Sequence, residues 1–203
     1  MGIYLVSVAA EEWFDAGEDA AEEEDGGFGA VASGLNEELR RRGLPPYESV
    51  PAETELVRGS GLRFQEKLVP SVYGFVDLCR AQLSREEEKR ILDWSVLVPI
   101  SLDEEIELPI GSVNTNSTVI AGAPQILALA ERLARAIGLP DDRIPATCDN
   151  LDLTMWFLDG PAKEEAAARP GVWGRDLDTA FYVTLYLRAA QHSLRRGCPI
   201  VYS

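Results

Sequence analysis

Apolar positions along this chain recur with two periods. Residues 2–8 (GIYLVSV) are a near-continuous run of large and β-branched apolar side chains, which predicts a buried strand. Residues 199–202 read as a terminal strand and a natural partner for the first. Residues 96–102 and 106–110 read as two more strands joined by a turn at Asp103-Glu104-Glu105. Pro99 and Pro109 would confine this pair to a sheet edge or to bulges. A further short strand is expected at 55–58, ahead of Gly59-Ser60-Gly61.

The helical period dominates elsewhere. A short amphipathic turn is expected around 11–14. Val31, Leu35 and Leu39 recur at i, i+4, i+8 and mark a helix over 31–42, closed by Gly43 and blocked by Pro45 and Pro46. Arg40, Arg41 and Arg42 fall in its last turn, where the helix dipole favours cations. Helices follow at 70–83 and from 84 to about 94, the second opened by Ser84 and Glu87 in capping-box spacing. Pro124 and Gly138 bracket the best-marked helix in the chain. Shorter helices are expected at 151–158, capped by Asp149 or Asn150, and at 161–169. Asp176 opens a long final helix that ends at Gly197. Its middle is apolar on most faces, so it should be central and buried. The pattern predicts one helix-rich α+β domain over 1–203. A small mixed sheet should contain both the N-terminal and the C-terminal strands, with the final helix across it.

Charge changes this picture at one end. Residues 1–39 carry eleven carboxylates and no Lys or Arg, leaving 23 acids against 19 bases, a net of −4, in residues 40–203. Most of the net −15 is therefore concentrated in the first fifth of the chain. The stretch 17–27 lacks apolar periodicity and reads as a solvated acidic loop, because so many like charges resist packing. Such a field excludes nucleic acid and anionic membrane as partners and favours a basic protein. Glu22, Glu23, Glu24 and Asp25 are the candidate partner-binding residues. No run approaches the roughly 20 apolar residues of a membrane span, and no leader of the secretory kind is visible, so a cytoplasmic location is expected.

Motifs for chemistry are sparse. Gly27-Phe28-Gly29-Ala30-Val31-Ala32 has the spacing of a dinucleotide fingerprint. Glu22 to Asp25 stand where a strand should lead into it, so a flexible glycine joint is expected instead. His192 is the only histidine, which rules out a two-histidine metal site within one chain, and it reads as structural or surface. Cys79, Cys148 and Cys198 are widely spaced and read as buried thiols. No motif calls for a cofactor. Asp149 and Asp152 near Trp156 are the candidate pocket, able in principle to hold a hard cation. Two functions follow: a protein-binding, inhibitor or immunity-type module with a basic partner, or a carboxylate- or divalent-metal-dependent enzyme at Asp149 and Asp152.

Overall fold

The structure, a computed structural model, describes residues 2–15, 27–111 and 116–203. Among them, six strands form one mixed sheet: β1 (Tyr4–Ser7), β2 (Gln65–Lys67), β3 (Val96–Val98), β4 (Ile106–Leu108), β5 (Thr118–Gly122) and β6 (Ile200–Tyr202). Their spatial order is β2-β1-β6-β3-β5-β4. β1 and β6 pair antiparallel, with Val6 opposite Val201, so the two predicted terminal strands do meet. β3 runs antiparallel to β6 and parallel to β5.

The strands alternate between two cores, as the two-residue period of a pleated strand requires. Leu5, Leu97, Ala121 and Ile200 face one core; Val96, Val98, Ile120 and Val201 face the other. The second core is closed by α1 (Ala10–Trp13) and α2 (Gly27–Arg41), through Trp13, Val31, Leu35 and Leu39. The larger first core is closed by α3 (Tyr73–Gln82), α4 (Arg85–Leu92), α5 (Ala123–Ile137), α6 (Asp152–Leu158), α7 (Pro161–Ala168) and α8 (Leu177–Arg196). Sheet with helices on both faces makes three layers, in an α+β chain.

Local signals place most helix ends. Ser84 Oγ accepts from Glu87 N while Glu87 Oε2 accepts from Ser84 N, so the capping box is complete. Asp176 caps α8 by accepting from Thr179 N at 3.0 Å, and Gly197 ends it at φ 71°. Gly138 ends α5 in the same left-handed conformation. β5 passes into α5 with no linker at Gly122. A Cβ there would lie 2.6 Å from the Ile100 carbonyl oxygen, so only glycine lets the two segments approach this closely.

Four expectations are corrected. The strands at 96–98 and 106–108 are not a hairpin: β5 lies between them, pairing parallel to β3 and antiparallel to β4. β3 is interior and stops at Val98, where Pro99 ends its ability to donate to a neighbour. No strand forms at 55–58; the strand that follows it is β2, a polar triplet at one edge of the sheet. The glycines of the 27–32 motif lie in the first turns of α2, with Gly29 buried, and are not a joint. Finally, neither Asp149 nor Asn150 caps α6; the cap comes from Glu66, as the site geometry shows.

No helix among the described residues is long and apolar enough to cross a membrane.

Candidate functional site

Two neighbouring features of the β2 side of the sheet concentrate polar groups inside the fold. The first joins β2 to the start of α6. Gln65 bonds both ways to the incoming segment, donating to Cys148 O at 2.6 Å and accepting from Leu151 N at 3.0 Å, which covers the free edge of β2. Leu151 then adopts φ 60°, the only left-handed non-glycine residue among those described. Glu66 is fully buried, and its two oxygens accept from Leu153 N, Thr154 N and Thr154 Oγ1 at 2.8, 2.8 and 2.6 Å. Burial pushes its carboxyl above the usual range, against the pull of those three hydrogen bonds.

Asp149 is also fully buried and anchors the 59–61 turn, accepting from Gly59 N at 3.1 Å and Gly61 N at 3.0 Å. Burial works against its ionisation, but those backbone donors, joined by Asp152, outweigh it and hold the carboxyl below the usual range. Arg58 lies 3.8 Å from Asp152. The structure thus brings Asp149 and Asp152 together. Trp156 faces elsewhere: it meets Phe157 edge-on at 4.8 Å and stacks on Trp173 at 6.4 Å. Among the described residues no group of three or more His, Cys, Asp or Glu is placed to hold a metal ion. What this cluster does is tie β2, the 59–61 turn and α6 into one unit.

His192 packs behind it, ring to ring with Phe64 at 5.6 Å, and is buried, not a surface residue. Burial, reinforced by Arg195 and Arg196, pushes its imidazole from 6.5 down to about 3, so it stays neutral despite its place near a helix C-terminus. The unfolded chain takes up a proton here as pH falls below 6.5, whereas the folded chain does not until about 3. Stability from this residue is therefore intact above pH 6.5 and drains between those two values. Between pH 6.5 and 5 the loss should reach about 2 kcal/mol. In urea titrations His192→Phe should lose less stability than the wild type over that interval. Parallel losses in the two proteins would refute a neutral buried histidine. The thiols of Cys79 and Cys198 are likewise pushed up to about 12 by burial, and Cys148 is raised for the same reason. All three are free and buried, in accord with the sequence.

The second feature is a cleft of about 290 Å³ at the end of β1, bounded by residues 51–54, the start of β2 and the C-terminus of α8. Arg63 on its wall is occupied: it pairs with Glu53 and donates to Thr54 O at 2.9 Å. Glu11 accepts from Glu53 N at 2.8 Å. Arg196 also lines the cleft, half-buried, and its guanidinium has no hydrogen bond or ion pair among the described residues, with Nε sealed from solvent. Glu12, at the mouth, is likewise without a hydrogen-bonded or ionic partner among them. Burial and then Glu53 raise its carboxyl above the usual range. Sequence reasoning missed this cleft. Its charged residues come from positions 11, 12, 53, 63 and 196, and no local pattern announces that they meet.

Glu11 and Glu12, in α1, line the cleft. Glu22, Glu23, Glu24 and Asp25 lie outside the described residues. The segments that flank them are fixed: Trp13 stacks on Phe28 at 6.3 Å and meets Tyr47 edge-on at 6.3 Å. Ala10 N donates to Pro51 O, which holds α1 against the 51–54 segment and sets Glu11 and Glu53 side by side. The other acidic cluster, Asp103 to Glu105, is clamped. Arg90 pairs with Glu105 and donates to Asp103 O, and Arg42 donates to the carbonyls of Glu104 and Glu105.

The fold and these two features define the class as a three-layer α+β protein with one strongly acidic end. No protein-family model, curated protein or solved structure matches the chain.

Proposed function

We propose that the chain is a protein-binding module of inhibitor or immunity type whose acidic end engages a basic protein. The observation that carries this reading is the one-signed charge of residues 1–39, eleven carboxylates with no base, on a chain that is otherwise close to neutral. Trp13 and Phe28 hold the two flanks of the acidic segment together, and the exposed side chains of Glu11, Glu12 and Glu53 stand on the adjoining surface. Charge gathered at one place on a folded surface steers a cationic partner and speeds encounter, and salt screens the effect.

The test is capture of partners on immobilised wild-type chain and on a variant carrying Glu22→Gln, Glu23→Gln, Glu24→Gln and Asp25→Asn. A basic protein should be retained by the wild type at low salt and released at moderate salt. Its association rate should drop by about tenfold on the variant, within the range that electrostatic steering supplies. Equal capture and equal association rates on both baits at low salt would overturn the reading.

A further inference from the structure

We propose that the cleft at the end of β1 binds a free α-amino acid with an apolar side chain, its carboxylate on Arg196 and its ammonium on Glu12. The argument starts from what the fold leaves unpaired. Buried polar groups in folded proteins are almost always hydrogen-bonded, and an arginine offers five donors and no acceptor. Arg196 uses none of its guanidinium donors on the described residues while its side chain lines the cleft, and because Nε is sealed, a ligand there meets the two terminal nitrogens. A planar guanidinium takes a carboxylate with two parallel hydrogen bonds, so the missing partner is most simply a carboxylate.

The remaining charges decide what else the ligand carries. Arg63 and Glu53 are paired with each other, and Glu11 is committed to Glu53 N, which leaves Glu12 as the second unpaired ion in the same cleft. A simple anion on Arg196 would meet the negative field of Glu11, Glu12 and Glu53. A ligand that brings its own cation relieves that repulsion and settles the Glu12 carboxyl as an anion. Val6, Val8 and Leu62 supply the apolar wall. A volume of about 290 Å³ is at the small end of ligand pockets, which run from roughly 300 Å³ upward, and it suits one amino acid better than a cofactor.

The probes are free leucine, valine and phenylalanine, each with its N-acetyl and its carboxamide analogue, titrated calorimetrically into the wild-type chain. At least one free amino acid should bind saturably, and each of its two capped analogues should bind at least about tenfold more weakly, as loss of a charge-assisted contact requires. Arg196→Gln and Glu12→Gln should each weaken binding by a similar factor, whereas Arg135→Gln, exposed on α5, should leave it unchanged. Absence of saturable binding by any of the three, equal binding of a capped analogue, or wild-type affinity in Arg196→Gln would each overturn the assignment. The capped analogues test the wild-type chain, so the result stands even where a variant fails to fold. The partner test alters only residues 22–25 and reads protein capture, so the two proposals fail separately.

Discussion

Deleting residues 199–203 should abolish the cooperative unfolding transition, not merely shorten the protein. A C-terminal strand is often dispensable when it lies at a sheet edge, but β6 occupies the third position of six, between β1 and β3. Its removal separates the β2–β1 pair from the β3–β5–β4 group and exposes two backbone edges of unsatisfied donors and acceptors at once, one on β1 and one on β3. Tyr4 and Ser203 exchange backbone hydrogen bonds at 2.8 and 2.9 Å, and Val8 N donates to Pro199 O at 3.0 Å; all three are lost. Ile200 is fully buried in one core and Val201 nearly so in the other, so the deletion opens both layers. Each such side chain is worth about 1.5–3 kcal/mol when buried. Added to the lost ladder, the total rivals the 5–15 kcal/mol by which whole domains are stable. Circular dichroism of the truncated chain should show no sigmoidal melt. The milder Ile200→Ala should retain one and lose about 2–5 kcal/mol. A truncated chain that melts near the wild-type midpoint would show that the sheet does not depend on its third strand.

The part of the fold that was legible in the sequence is the part fixed by neighbouring residues. Ser84 with Glu87 and Asp176 with Thr179 are interactions within one turn, Pro124 and Gly138 are single-residue signals at the two ends of α5, and each helix starts or stops where those residues say. The pairing of the two terminal strands was legible too, because both are apolar runs too short to be helices. What failed was long-range. β2 is Gln-Glu-Lys, with no alternation to betray it, and it exists because β1 pairs with one edge and residues 148–151 with the other. The run Thr118-Val119-Ile120 carried a strand signal in its β-branched residues. Two strands separated by only a few residues still suggested a hairpin, whereas β5 enters between them from later in the chain. For the candidate site the same division holds. The concentration of acid in residues 1–39 is a property of sequence alone, and the meeting of Asp149 with Asp152 follows from three-residue spacing. The cleft of Arg196 and Glu12 was invisible, since it joins the last turn of α8 to α1, near opposite ends of the chain.

Glu66→Ala should cost more than any other single side-chain truncation on the β2 side of the sheet. The usual cap of a helix is a Ser, Thr, Asp or Asn immediately before it. Here that position is Leu151, held at φ 60° with no side-chain acceptor, and the carboxylate arrives instead from a strand 87 residues earlier in sequence. Removing it leaves Leu153 N and Thr154 N without acceptors in a buried setting, at about 1–3 kcal/mol each, before the emptied volume is counted. Glu66→Gln keeps the shape and one acceptor oxygen but turns an amide NH₂ toward backbone N–H donors, so it should cost less than the alanine variant and more than a surface change. Amide hydrogen exchange locates the damage: protection at Leu153 and Thr154 should fall first in Glu66→Ala, while amides in α5 and α8 keep theirs until global unfolding. The consequence reaches beyond one helix, because the segment between Cys148 and Asp152 also holds Asp149 against the 59–61 turn and pairs with Gln65 at the rim of the cleft. If Glu66→Ala unfolds within about 0.5 kcal/mol of the wild type, the range of an ordinary surface substitution, with those two amides still protected, then α6 is held by its core contacts through Leu153 and Phe157 and the buried carboxylate is a passenger.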